Sequence, residues 1–394
     1  MSGEVLTERI FAETILANGG RLYRVGGCVR DMVMGIAPKD IDFCVVGMVK
    51  KNFKQLFPEA SECGKYFPVF WLNVDGRRCE VAFARTERKA GSGYKGFKIA
   101  SNPKITIEAD LFRRDTTVNS IAIDCLTGEV VDPFGGVQDI KNKLLRATGP
   151  QFADDPIRAL RLASQAARLG FAIDADTLTL ASAAAAELSD EPAERILAEM
   201  VKVMQAAQAP ARFFEVLAQS RLLDIAFTEM AQLSREEFAL AMTRLDAVAN
   251  VTASPKVRFA ALGLTLGPEG LACWNKRMTL PGDWLQAAAA AGKVAALLEH
   301  PDPEKIAVAI DSLRRGSLTV AEFDIVSQAA QAGIPALEPF KTALALLPGA
   351  IPAELQGRDR GEWLRRKQST IIAEIWLDKM DKEATQLLTQ RDSV

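Results

Sequence analysis

The stretch "GGCVRDMVMGIAPKDIDFCVVG", residues 26–47, decides the fold. Asp40 and Asp42 stand one residue apart at the head of "DFCVV", a run whose β-branched and aromatic residues predict a strand. Residues i and i+2 of a strand share a face, so the two carboxylates are expected side by side. Adjacent carboxylates repel unless a cation lies between them. Hard oxygen donors at that density favour Mg²⁺ together with a phosphate-bearing substrate. The plainer reading is an Asp pair in a turn after Pro38.

The residues just upstream narrow the choice. "RLYRVGGCVRD", residues 21–31, predicts a short strand, a tight Gly-Gly turn and a helix start. Glycines there let backbone N–H groups approach a phosphate at a helix N-terminus. Gly27 is the candidate at the turn, and Arg30, one helical turn on, is a candidate for the same phosphate. Without a ligand the same pattern is an ordinary strand-to-helix turn.

Farther out, 394 residues exceed one compact core and predict several domains. The composition, 48% hydrophobic and 25% charged, is that of a globular protein. The start "MSGEVLTERIFAETI" carries acids and lacks a basic-then-apolar pattern, so no signal peptide is expected. No run of 18 apolar residues predicts a membrane span, and a cytoplasmic location is expected. The six cysteines form no C-x-x-C pair, so buried reduced thiols are expected and structural zinc is not. With His300 as the only histidine, multi-histidine metal sites are excluded. A net charge of −2 argues against nucleic-acid affinity over the whole surface but leaves room for a local basic face.

The character of the chain changes near residue 145. Before it, strand-like runs alternate with turns, and Asp75-Gly76 between "VFWLNV" and "RCEVAFA" is a strong hairpin signal. "SIAIDCLTGEVVD" predicts a second hairpin around Thr127-Gly128. After residue 150 apolar residues recur near every 3.6 positions, and Pro and Gly interrupt the pattern near 209–210, 266–269, 300–303 and 333–339. The expected fold is an α+β head over 1–146, followed by all-α segments at 147–208, 209–300 and 301–394.

Two further segments bear chemistry. In "RRDTTVN", residues 113–119, an arginine is placed to bind triphosphate oxygens and Asp115 to accept from a ribose hydroxyl. Asn119 is placed at the turn or the sugar. In "FADDPIRALR", residues 152–161, Pro156 opens a helix capped by Asp154 or Asp155. Asp155, Arg158 and Arg161 then fall on one helical face. A carboxylate accepting from an exocyclic amine, beside an arginine donating to the ring acceptor, suits cytosine and adenine and repels guanine and uracil. The plainer reading is a capped helix with a surface ion pair.

Together these segments resemble the class II tRNA nucleotidyltransferases, the bacterial CCA-adding enzyme and poly(A) polymerase family, within the polymerase β-like superfamily. The resemblance rests on "VGGCVRD", "KDIDFCV", "RRDTTVN", "DPFGGVQDI", "FADDPIRALR" and "EPAERILAEM" in order, over about half the chain. It implies Asp40 and Asp42 as Mg²⁺ ligands and Arg114 as a nucleotide contact. Asp155 and Arg158 become the base-templating pair with Arg161 nearby, and Glu194, Arg195 and Glu199 a supporting helix. It also implies a third carboxylate, for which Glu80 is the first candidate and Asp110 a weaker one. A solvent-facing Glu80 on an edge strand is the alternative.

The implied activity is addition of CCA to the 3′ end of tRNA from CTP and ATP. Poly(A) polymerase and split CC- or A-adding activities are the alternatives. A catalytically silent RNA-binding factor requires loss of the acidic pair, which is present. "ARTERKAGSGYKGFK", with Gly91, Gly93 and Gly96, resembles the family's flexible loop and favours the complete activity; Arg85, Arg88 and Lys89 suit phosphate contacts. The segment "CGKYFPVFWL" is similar to the CCA-adding branch. Two departures stand out: Asp154 replaces the usual Glu, and Ser164 replaces an arginine. "GRDRGEWLRRKQ" reads either as a tRNA-contacting stretch or as a solvated helix face. No stable protein partner is expected.

Overall fold

The structure, a computed structural model, describes residues 5–64, 69–91, 96–345, 352 and 354–391. Gly93 and residues 65–68 of the "CGKYFPVFWL" segment lie outside them. The chain forms two compact units, one of residues 1–196 and 215–226, the other of 197–214 and 227–394.

The first unit begins with helix α1 (Glu8–Ala17), strand β1 (Arg21–Val25), α2 (Gly27–Val33), β2 (Asp42–Val46) and α3 (Lys50–Leu56). Strands β3 (Ser61–Cys63), β4 (Val69–Val74) and β5 (Arg77–Phe83) follow, then the hairpin β6 (Thr86–Lys89) and β7 (Phe97–Ala100). Next come α4 (Ile107–Phe112), β8 (Ala122–Asp124), β9 (Val130–Val131), α5 (Gly136–Lys141) and β10 (Leu144–Leu145). Helix α6 (Pro156–Leu169), β11 (Ala172–Ile173) and α7 (Ala175–Ala183) follow, and α8 (Ala193–Ala206) starts in this unit and runs on into the second. Seven strands form one sheet in the order β3-β4-β5-β2-β1-β8-β9. β2 pairs with β5 in parallel and every other neighbour is antiparallel.

Both expected hairpins are present. Asp75 and Gly76 adopt φ of 50° and 73°, the pair of positive angles that a two-residue I′ turn needs to match strand twist. Strand periodicity then sorts the side chains. Phe43, Val45, Phe70, Val81 and Phe83 pack on one face against Phe11, Phe53 and Phe57. Rings there meet at centroid distances of 5.0–6.3 Å. Tyr23, Cys44 and Ala122 pack on the other face against Ile107 and Leu111 of α4. Asp42, two residues before Cys44, is carried on this second face, as is Glu80, in register with Asp42 on β5.

The thiols are free. Cys28, Cys44 and Cys79 are buried as expected, while Cys63 and Cys273 are exposed because β3 is an edge strand and Cys273 lies on the outer side of its helix.

Helices α9 (Ala211–Gln219) and α10 (Leu223–Ala226) lead on to α11 (Thr228–Ala231), α12 (Arg235–Ala249), α13 (Pro255–Arg277) and α14 (Gly282–Leu297). α15 (Pro303–Arg314), α16 (Val320–Ala329), α17 (Glu338–Ala345) and α18 (Gly357–Arg391) end the chain. α13 breaks at Gly267 (φ 62°) before Pro268, where the sequence puts an interruption. Ser234 with Glu237, and Thr319 with Glu322, form capping boxes that start α12 and α16. The core of the second unit gathers Ile306, Ile310, Phe323, Phe340 and Ile372. Beside it, α13 and α14 touch backbone to backbone: a Cβ on Gly263 would lie 2.0 Å from the Ala288 carbonyl.

Candidate active site

The second face of the sheet opens into a cavity of about 670 Å³ bounded by β2, β5, the β6–β7 hairpin, the segment after α4, and α6. Asp42 opens β2 in its wall. Asp40 lies in the bend before the strand, exposed, which corrects the expectation that both aspartates share one strand face. The carboxylate standing beside Asp42 is Glu80, its register partner across the β2–β5 ladder. Glu80 is on an interior strand, which answers the edge-strand alternative. Burial, the Glu80 charge and then Asp40 push the Asp42 carboxyl up to about 6, against a downward pull from Arg114.

Repulsion within such an acidic pair is what an oxygen-preferring divalent cation would relieve. No three His, Cys, Asp or Glu side chains are gathered for a metal among the described residues. Asp42 and Glu80, with Asp40 close enough to be felt, fit such an ion when substrate oxygens and water complete its shell.

Gly26 has φ of 78°, and a side chain there would also come within 3.1 Å of Arg114 Nη1. Gly27 opens α2 and lies in the wall. Arg30 does not, which corrects its expected phosphate contact. Its guanidinium is buried beneath the turn, where Nε and Nη2 donate to Asp31 Oδ1 at 2.9 and 2.6 Å and Nη1 donates to Asn119 Oδ1 at 2.9 Å. Arg30 therefore holds Asn119, which does line the cavity.

Asp110 of α4 is fully buried and bridges two arginines. It accepts from Arg113 Nε at 2.9 Å, from Arg114 Nη2 at 3.0 Å and from the Arg85 backbone N–H at 3.2 Å. Burial alone would raise its pKa, but Arg114 and Arg113 outweigh that and hold the carboxyl below its usual range. Asp110 is thus committed as the arginines' anchor, and the weaker candidacy for a third metal ligand falls. Burial disfavours the Arg114 charge, yet Asp110 overrides it and keeps the guanidinium protonated.

Asp155 caps α6, accepting from the Ile157 N–H at 3.1 Å, and Arg195 Nη2 lies 3.7 Å from it. Arg158 is 5% exposed. Its Nη1 donates to the Gln151 carbonyl at 2.5 Å and its Nη2 to Glu87 Oε2 at 3.4 Å. Asp155, Arg158 and Arg161 all face the cavity, as does Asp115. Sequence reasoning missed Glu87. This one carboxylate of β6 meets Arg85 and Arg113 at 3.1 and 3.2 Å as well as Arg158. A lone acid in the basic run "ARTERK" was the available signal. It also missed Gln165, buried on α6. Glu199 pairs with Lys202 at 2.8 Å.

A mixed sheet bearing an acidic pair beside a Gly-Gly turn, with arginines lining the same cavity, defines a nucleotidyltransferase. The family model "Poly A polymerase head domain" matches residues 22–146, and "Probable RNA and SrmB- binding site of polymerase A" matches 170–233. A CCA-adding enzyme of Coxiella burnetii is 38% identical over 276 residues, 68% of this chain and 69% of that protein. The fold is shared with the Bacillus stearothermophilus CCA-adding enzyme crystallised with CTP (TM-score 0.67, 23% identity, 96% and 97% of the two chains). It is shared as well with the Thermotoga maritima CCA-adding enzyme complexed with tRNA (0.67, 21%, 94% of each). The chain belongs to the class II tRNA nucleotidyltransferases, the family of the CCA-adding enzymes.

Proposed function

We propose that the protein adds C, C and A to the 3′ end of tRNA, using CTP and ATP and releasing pyrophosphate. The observation that carries this reading is one cavity lined by the Asp42/Glu80 pair, Arg114 and the Asp155/Arg158 pair. The tRNA 3′-hydroxyl attacks the α-phosphorus in line and pyrophosphate leaves, with no covalent enzyme intermediate.

Asp42, Glu80 and Asp40 would hold Mg²⁺, which when bound would supply a lower pKa for the attacking hydroxyl and charge neutralisation for the leaving group. The backbone at Gly26-Gly27 and the Arg114 guanidinium, fixed by Asp110, take the triphosphate oxygens. Ser164 is buried on α6; Arg161 and Arg195 in the cavity wall supply positive charge. Asp115 and Asn119 face the sugar. Asp155 accepts from the exocyclic amine of cytosine or adenine while Arg158 donates to the adjacent ring acceptor. Positioning and electrostatics supply the rate. No helix of the described residues is long and apolar enough to cross a membrane, and we place the activity with tRNA in the cytoplasm.

The test is incubation with tRNA lacking its 3′ end and each nucleotide singly, followed by product sizing. Addition of CTP and then ATP, stopping at CCA, is expected. GTP or UTP incorporation as fast as CTP would overturn the Asp155/Arg158 assignment. ATP-only extension without limit would favour poly(A) polymerase.

A further inference from the structure

Asp115 is expected at the sugar, but a carboxylate selects a hydroxyl only if one of its lone pairs is left open towards it. The surroundings of Asp115 leave one such position. Its Oδ1 accepts from the Thr116 N–H at 2.8 Å and from Asn119 Nδ2 at 3.2 Å, using both lone pairs. Its Oδ2 accepts from Gln165 Nε2 at 3.1 Å, the only donor it has among the described residues. Gln165 is 6% exposed, sits on α6 and is not part of the cavity wall.

The Gln165 amide cannot turn around. Its Oε1 accepts from Thr116 Oγ1 at 2.7 Å, and Thr116 is fully buried. That hydroxyl also lies 3.5 Å from Asp115 Oδ1 and can accept as well as donate, so it is the carboxylate that turns Nε2 towards Asp115. Were the amide reversed, its oxygen would oppose the carboxylate. The chain Thr116–Gln165–Asp115 thus fixes both the rotamer of Asp115 and the side from which a new donor approaches.

We propose that Gln165 is a positioning residue for ribose recognition, aiming the one open lone pair of Asp115 at a sugar hydroxyl and so setting preference for ribonucleotides over 2′-deoxyribonucleotides. The inference rests on the reading of Asp115 given above. It also assigns a task to α6 beyond its base-facing residues: the helix that presents Asp155 and Arg158 to the base also orders the sugar contact, one turn past Arg161.

The experiment compares steady-state incorporation of CTP and dCTP, and of ATP and dATP, by the full chain on tRNA lacking its terminal residues. Gln165→Met keeps the side chain's length and removes both hydrogen bonds. Loss of one hydrogen bond to a charged group is worth about tenfold, so the ribo-to-deoxy ratio of kcat/KM falls about tenfold, chiefly through KM for the ribonucleotide. Thr116→Val removes the hydroxyl that holds Gln165 Oε1, loosens the amide and shifts the ratio the same way by less. It carries the test alone if the methionine variant does not fold. Equal losses with ribo- and deoxyribonucleotides overturn the proposal, because a merely structural residue has no reason to discriminate between them. Asp115→Asn separates the two readings. If it abolishes the preference while Gln165→Met and Thr116→Val preserve it, the Gln165 assignment alone fails. If Asp115→Asn itself leaves the preference intact, the sugar assignment of Asp115 fails and the inference with it.

Discussion

At the scale of single residues the site is governed by charges that cannot all be satisfied at once. Asp42 and Glu80 are register partners across the β2–β5 ladder, and the Asp42 carboxyl is pushed up to about 6 by burial and by that neighbour. A carboxyl raised in the folded state favours its protonated form, so ionising it costs stability. The cost is absent below the unfolded value near 4 and complete above the folded value near 6. A bound divalent cation removes it. Adding Mg²⁺ is therefore expected to raise Tm at pH 7.5, with the increment shrinking as pH falls through 6. Asp42→Asn should abolish the increment, raise the metal-free Tm at pH 7.5 and eliminate nucleotide addition. Thermal scans from pH 5 to 8 check this, and an increment independent of pH would refute it. Asp110 is the opposite case, a carboxylate so well matched by Arg113 and Arg114 that it stays charged while buried. Asp110→Asn leaves both guanidiniums undercompensated, and loss of activity through a raised KM for CTP and ATP is expected.

At the scale of elements, the β6–β7 hairpin and the buried arginine of α13 each carry a role that their own residues do not advertise. The hairpin extends Glu87 to Arg158, and Lys89 meets Glu187 at 2.5 Å in the turn after α7. Glu87→Ala removes one of the two acceptors that orient the Arg158 guanidinium. GTP and UTP misincorporation should rise severalfold with little change in Tm, measured by single-nucleotide extension. In the second unit, Arg258 donates to the carbonyls of Met204, Ala207, Ala249 and Thr252 at 2.8–3.3 Å, closing the last turns of α8 and α12. Burial lowers its pKa, yet a guanidinium remains protonated at neutral pH. Arg258→Met would strand several buried carbonyls, and a loss on the order of 3 kcal/mol is expected by denaturant unfolding.

At the scale of the whole molecule, a net charge of −2 cannot attract a polyanion everywhere, so attraction for tRNA has to be local. Helix α18 presents exposed Arg358, Arg360, Arg365, Arg366 and Lys367, with Lys367 Nζ 6.0 Å from the centre of the Trp363 ring. Replacing Arg360, Arg365 and Arg366 together with glutamine should weaken tRNA binding and reduce the dependence of log Kd on log salt by about 0.7–0.9 per lost phosphate contact. Fluorescence titrations at several salt concentrations test this. An unchanged slope would leave α18 as a solvated face, the second reading that its sequence allows.

The sequence by itself determined the elements and the chemical inventory, because both are written in local spacing. Alternation marked the strands, Asp75-Gly76 the I′ turn, Gly267-Pro268 the break in α13, and the ordered motifs the acidic and basic residues that line the cavity. What only the tertiary structure decided is which groups face one another. That Glu80 rather than Asp40 stands across from Asp42 depends on parallel pairing between strands far apart in the chain. That Arg30 lies beneath the turn, Asp110 beneath the arginines, Glu87 on Arg158 and Gln165 behind Asp115 depends on contacts between residues up to 89 positions apart. Hydrogen bonds and Coulomb forces act over a few ångströms of space, and separation along a chain carries no record of that distance until the core has packed.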